Sequence, residues 1–161
     1  MNPSITKTWQ IGNLEQLETM VKWLNNILIP QTLILLKGDL GTGKTTLTKK
    51  LLALHGFSEN KVKSPTFSLI NLYPTKNFHF AHLDLYRLNQ HDPFLLEEIK
   101  ELATHKQSII LIEWPEKIDL PETIPGVQQI IEINLAFTSK DFRKISLYVK
   151  NLLNNIENQG Q

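Results

Sequence analysis

TLILLKGDLGTGKTTLTKKLLAL, running from Thr32 to Leu54, is the stretch from which the fold is read. Its opening run, Thr32-Leu33-Ile34-Leu35-Leu36-Lys37, is short, continuous and apolar, the pattern of a strand buried on both faces. Its closing run, Thr45 to Leu54, has helical character. Between them GDLGTGKTT, Gly38 to Thr46, matches G-x-x-x-x-G-K-[ST] with Gly38, Gly43, Lys44 and Thr45 at the fixed positions. Strand, glycine loop and helix in that order make a phosphate-binding site. Glycines let backbone N–H groups approach phosphate oxygens, and the helix start behind them adds partial positive charge. Lys44 is expected to reach the β and γ phosphates and Thr45 to offer its hydroxyl to Mg²⁺. The nucleotide-binding set read from this loop is Gly38, Asp39, Leu40, Gly41, Thr42, Gly43, Lys44, Thr45 and Thr46.

Working outward, the spacing of Leu14, Leu17, Met20, Val21, Leu24, Ile27 and Leu28 predicts a helix over 14–28 capped by Asn13. It is preceded by a short edge strand at Thr8–Ile11 and stopped by Pro30. Trp9 and Trp23 are read as packing residues. On the other side, Gly56 caps the loop helix. A strand is expected after Thr66, and Pro65 biases Ser64 toward extended backbone. A second strand, Phe78 to Leu85, carries Asp84 near its end. Asp92 and Pro93 start a helix through Leu102. The apolar strand Ser108–Ile112 then delivers Glu113 at its tip, and Pro115 ends it. Two strands, about 128–135 and 143–150, close the fold as an antiparallel hairpin. The tail from 151 to 161 is polar and expected to fray.

Strands alternating with helices predict an α/β three-layer sandwich of the P-loop NTPase kind, one domain over residues 1–161. Its sheet is expected to be mainly parallel, and mixed because of the closing hairpin. Ligands in such sheets sit beyond the C-terminal strand ends, where the glycine loop, Asp84 and Glu113 converge. Mg²⁺ takes oxygen ligands in octahedral geometry, so Thr45, Asp84 and Glu113 form the candidate metal set. Glu113 either contacts the ion or orients the attacking water. Lys44, Asp84 and Glu113 are the candidate catalytic residues. His79 and His82 are expected to point to opposite faces of their strand, which argues against a two-histidine metal site. His82 shares a face with Asp84 and either orients it or is a structural histidine. His91 and His105 have no evident partner. Trp114, expected to be extended before Pro115, serves either packing or the nucleotide.

The chain has 161 residues, 41% hydrophobic and 20% charged, with no cysteine. Disulfides, thiolate catalysis and cysteine-type zinc sites are therefore excluded. No apolar run approaches the roughly 18 residues of a membrane span, and the first residues lack the apolar core of a signal peptide. The expected compartment is the cytoplasm, with no membrane partner. Net charge is +1, with fifteen lysines and two arginines, Arg87 and Arg143. Lys49, Lys50, Lys61 and Lys63 are the densest basic group and read as a solvated helix end and loop. A chain that grips a nucleic-acid backbone carries a concentrated basic face, so any nucleic-acid connection is expected to be indirect.

Four blocks in order resemble the bacterial TsaE family: GDLGTGKTT from Gly38, SPTFSLINLY from Ser64, HLDLYRL from His82 and IEWPEKI from Ile112. They span residues 38 to 118. The resemblance implies a P-loop ATPase needed for threonylcarbamoyladenosine in tRNA, with ATP and Mg²⁺ as ligands and the TsaB and TsaD proteins as partners. It implies that Ser64, Pro65 and Thr66 form a switch-like loop sensing the γ-phosphate, that Thr66 and Trp114 lie at the nucleotide, and that Asp84 is the Walker B-type acid. Hydrolysis is expected to be slow, partner-stimulated and needed for repeated cycles. The chain departs from the family in having no glycine between Gly56 and Gly126, so the family's local backbone there is not carried over.

Other classes share the glycine loop. A GTPase needs N-K-x-D, and Asn60-Lys61-Val62-Lys63 ends in lysine. A small-molecule kinase needs an arginine-bearing lid, for which only Arg87 and Arg143 are available. A nucleotide-dependent assembly module with negligible turnover uses the same ligands and stays open.

Overall fold

The computed structural model describes residues 4–65, 68–89 and 92–152. Strands β1 (Ile5–Ile11), β2 (Thr32–Lys37), β3 (Ile70–Pro74), β4 (His79–Asp84), β5 (Ser108–Glu113), β6 (Gln129–Phe137) and β7 (Arg143–Asn151) form one sheet in the order β1-β7-β6-β2-β5-β4-β3. The four central strands β6, β2, β5 and β4 run parallel, while β1, β7 and β3 pair antiparallel at the flanks. The α/β class, the mainly parallel mixed sheet and the closing hairpin follow the sequence expectation.

Side-chain alternation divides the core. Ile34 and Leu36 of β2 face the same layer as Leu111 of β5 and Ile131 of β6, and there meet helices α1 (Leu14–Ile27) and α2 (Lys44–Ala53). Leu33, Leu35, Ile110 and Ile112 face the opposite way and meet Leu95, Ile99 and Ala103 of α3 (Pro93–Thr104). Because β2 and β5 are covered on both sides, they read as unbroken apolar runs instead of alternating ones. Each buried leucine or isoleucine there contributes on the order of 2 kcal/mol of transfer free energy.

Local signals set the helix starts. Asn13 accepts from the Gln16 N–H at 2.9 Å, while Gln16 returns its side-chain oxygen to the Gly12 N–H at 2.7 Å. Such a reciprocal cap stabilises a helix start by about 1 kcal/mol. Asp92 likewise accepts from Phe94 and Leu95 N–H groups, with Pro93 at the first helical position. α3 is regular through the segment that lacks the glycine. Trp9 and Trp23 meet edge to face at 5.1 Å, as packing residues.

Several boundaries differ from expectation. β1 starts at Ile5, because β7 offers it partners from Arg143 to Val149. β3 starts at Ile70, well after Thr66, because Leu83 opposite Ile70 is the last register pair of β4 with it. Lys50 is not a solvated end: it is held between Glu18 and Glu59 at 3.0 and 2.8 Å. His105 does have a partner, its Nε2 lying 3.1 Å from His79 Nδ1 across the β4–α3 boundary. His91 lies outside the described residues. Among the described residues no helix is long and apolar enough to cross a membrane.

Candidate functional site

β2 ends at Lys37 and the chain turns through Gly38–Gly43 into α2. Gly38, Gly41 and Gly43 all stand at positive φ, and at two of them the geometry is decisive. Gly43 is the N-cap at φ 107°, ψ 21°, a conformation L side chains rarely adopt. Gly38 stands at φ 149°, where a Cβ would run into the Leu135 carbonyl and the Thr42 hydroxyl. The loop is pinned internally by Thr42, whose Oγ1 donates to Asp39 O at 2.8 Å. The first amides of α2 have no partner within their own helix and face the loop's concavity.

Lys44 is buried, and its Nζ donates to the carbonyls of Gly38 at 2.5 Å and Asp39 at 3.0 Å. The ammonium also lies 4.2 Å over the Trp114 ring. Burial pushes the Lys44 pKa down, and the nearby carboxylates of Glu113, Asp84, Glu116 and Asp39 oppose that.

The acids are placed by register. Asp84 and Glu113 are direct partners on adjacent parallel strands, and Glu113 also pairs with Leu36. Both carboxylates share the sheet face that carries Leu111, beneath the first turn of α2. Thr45 Oγ1 donates to Glu113, 2.9 Å from Oε1 and 3.1 Å from Oε2. Asp84 takes other donors: Ser64 Oγ on Oδ2, and the Tyr86 N–H on Oδ1 at 3.0 Å. Glu113 therefore backs the Thr45 hydroxyl, and Asp84 ties Ser64 and the buried Pro65 to the site. Thr66 lies outside the described residues.

His82 does not orient Asp84. It shares that strand face, but its Nε2 reaches diagonally to Glu113 Oε1 on β5, at 2.9 Å. Trp114 is not extended either. It sits in the left-handed region at φ 59°, ψ 50°, its N–H on Leu36 O at 3.2 Å and its ring against Tyr86 at 5.2 Å. Pro115 disfavours the right-handed helical region for the residue before it, and the strand-end bond to Leu36 selects the left-handed alternative. That conformation costs a non-glycine residue on the order of 1–2 kcal/mol, a strain that clusters at functional sites.

These groups enclose a cavity of about 290 Å³ between the loop, Ser64, Asp84, Tyr86, Glu113 and Trp114. A second cavity of about 250 Å³ flanks the other side of the loop and shares Gly41, Gly43 and Thr46 with the first. Its walls are Ile11, Leu14, Leu17, Leu135 and Ile145, with Arg143 at the edge. Sequence reading missed Tyr86 and this second wall, whose members come from both ends of the chain; the signal available was the aromatic two residues past Asp84. Among the described residues no cluster of three or more His, Cys, Asp or Glu could cage a metal. The hydroxyl and carboxylate oxygens present suit Mg²⁺, which is bound through one or two carboxylates together with phosphate oxygens.

Comparison with known proteins supplies the context. The family model described as threonylcarbamoyl adenosine biosynthesis protein TsaE matches residues 11–145. The tRNA threonylcarbamoyladenosine biosynthesis protein TsaE of Rickettsia felis is 38% identical over 141 residues, 85% of this chain and 77% of that protein. The protein of the same description from Bacillus subtilis is 32% identical over 144 residues, 86% of this chain and 82% of that one. The crystal structure of Bacillus subtilis YdiB has the same fold, with a TM-score of 0.63 at 24% identity over 92% of this chain and 88% of that one.

Proposed function

The chain belongs to the TsaE family, and from that premise we propose that it binds ATP with Mg²⁺ and hydrolyses it to ADP and phosphate in tRNA threonylcarbamoyladenosine synthesis. The observation that carries the reading is the Thr45 hydroxyl held on Glu113 at the head of α2, beside a buried Lys44 and behind a loop that admits no Cβ at Gly38.

In this reading the loop amides and Lys44 bind the phosphates, with Nζ exchanging the Gly38 and Asp39 carbonyls for phosphate oxygens. Thr45 presents its oxygen to the ion and keeps its hydrogen on Glu113. Asp84 contacts the ion directly or through water, and its bond to Ser64 makes the segment from Ser64 to Thr66 responsive to the γ-phosphate. Bound Mg²⁺ supplies neutralisation of charge developing on the phosphate oxygens. Glu113 holds the polar end of the site in register, and Trp114 walls it against water. The apolar cavity beside Gly41 and Thr46 takes the nucleobase, being the nearest concave apolar surface to the loop.

Turnover is slow until partners complete the site, and those partners are the TsaB and TsaD proteins; tRNA is met through them. A near-neutral surface with two arginines supports that indirect route. The test is an ATPase assay with and without purified TsaB and TsaD of the same organism. Stimulation by the partners is expected. Phosphoryl transfer to an added metabolite would instead make the chain a kinase, and absence of ATP turnover under both conditions would reject the proposal.

A further inference from the structure

Among the groups around Glu113, His82 lies outside the nucleotide-contacting set. It sits within β4, has no exposed surface, and is separated from the cavity by Glu113 itself. Its Nε2 is 2.9 Å from Glu113 Oε1, whereas its Nδ1 has no hydrogen-bond partner among the described residues. A polar atom left unpaired in a fully buried place costs free energy, and persists where the group is needed for something else.

The partners dictate the tautomer. Glu113 already accepts the Thr45 hydroxyl on both oxygens, so the contact to His82 is satisfied when Nε2 carries the hydrogen. The opposite tautomer sets a lone pair against the carboxylate and leaves a buried N–H at Nδ1 with no acceptor. We infer that His82 is a positioning residue: its Nε2–H locks the Glu113 carboxylate in the rotamer that accepts the Thr45 hydroxyl. The inference rests on the ATP-hydrolysing reading for its kinetic consequence, but its structural half does not.

The geometry explains why a lock is needed. The Thr45 hydroxyl has one hydrogen, shared between oxygens at 2.9 and 3.1 Å, so alone it does not choose between them. Glu113 is also the last residue of its strand, directly before the left-handed Trp114. Without His82, one carboxylate oxygen loses its second donor and the side chain is free to turn. Thr45 then loses the acceptor that keeps its lone pairs aimed into the site.

Two measurements test this. In the nucleotide-free protein, ¹⁵N–¹H spectra of the imidazoles are expected to show His82 protonated at Nε2 alone, with that signal changed in Glu113→Gln. A ring protonated at Nδ1, or one indifferent to Glu113→Gln, overturns the inference whatever the protein does with ATP. The second uses His82→Gln, whose amide nitrogen falls where Nε2 lies, against His82→Asn, whose amide falls at Nδ1, and His82→Leu, which has no donor. The Leu and Asn variants are expected to lose about ten-fold or more in kcat, with the ATP Kd within about three-fold of wild type. The Gln variant is expected to recover most of it. Equal loss in Gln and Leu variants, or loss of ATP affinity in step with kcat, refutes a positioning role. If wild type turns over no ATP, the hydrolytic proposal falls separately and the imidazole spectrum decides His82.

Discussion

Replacing Lys44 by alanine tests the loop most directly. The ammonium donates to the Gly38 and Asp39 carbonyls, at 2.5 and 3.0 Å, and lies over the Trp114 face at 4.2 Å. Burial lowers its pKa, and four nearby carboxylates oppose that. Phosphate oxygens replace neutral acceptors with charged ones, and a hydrogen bond to a charged group is worth about 1.5–3 kcal/mol net. At about 1.4 kcal/mol per decade, Lys44→Ala is expected to weaken ATP binding by about ten- to a hundred-and-fifty-fold. The lower end applies if Lys44 keeps one loop carbonyl in the complex. Thermal shift gives a second reading: ATP at 100 times the wild-type Kd stabilises by about 2.7 kcal/mol, and by only about 0.4 kcal/mol if Kd rises a hundred-fold. Without nucleotide, lost packing and the relief of a buried cation oppose each other, so the Tm is expected to move by less than about 4 °C. The assay is calorimetric titration of ATP with Mg²⁺ at fixed salt. An ATP Kd within three-fold of wild type, in a folded variant, refutes the assignment of Lys44 to the phosphates.

Glu113→Ala is expected to reduce kcat by about a hundred-fold or more while ATP affinity falls less than ten-fold; equal losses in both would recast Glu113 as a binding ligand. Gly38→Ala forces a Cβ toward Leu135 O at φ 149°, so a stability loss of roughly 1–3 kcal/mol, read by urea unfolding, and failure to bind ATP are expected together. Wild-type stability with full affinity would show that the loop does not need this glycine. Burial lowers the pKa of His55, packed on Phe78 and Phe80, below its ordinary 6.5. The unfolded chain then binds the proton more readily, so stability is full above about pH 6.5 and falls as the pH drops below it. His55→Gln, which can keep the bond to Asn25, is expected to flatten the Tm between pH 5 and 7, and an unchanged slope would assign the dependence elsewhere.

What was legible in the sequence was local or periodic. The unbroken apolar runs of β2 and β5, the caps Asn13 and Asp92, and the glycine loop each carry their physics within a few residues. What was not legible depends on register between strands far apart in the chain. His82 finds Glu113 because β4 lies beside β5 with Asp84 opposite Glu113, and a diagonal reach then connects the two. A strand face alone pointed His82 at Asp84, its nearest acid in sequence. Trp114 was misread for a related reason. The preference of a residue before proline is an average, and the bond from its N–H to Leu36 O, set by pairing of β5 with β2, overrides it.

The same dependence on distant strands governs the loop, although its motif is local. Gly38 is forced to be glycine by the Leu135 carbonyl of β6, nearly a hundred positions later, because β6 runs parallel beside β2 and ends next to the loop. The β6–β7 hairpin then returns Arg143 and Ile145 to the loop's far side, and β1 on β7 brings Ile11 and Leu14 into the same wall. In the proposed reading the phosphate side is thus built from β2, β4 and β5, and the apolar side from the two ends of the chain. A substitution in the hairpin that moves Leu135 by a fraction of an ångström acts on the glycine loop through Gly38, and one at Ile145, the register partner of Leu135, reaches both the apolar cavity and that contact. The antiparallel flank that makes this sheet mixed therefore lines the cavity beside the glycine loop and is not an appendage to it.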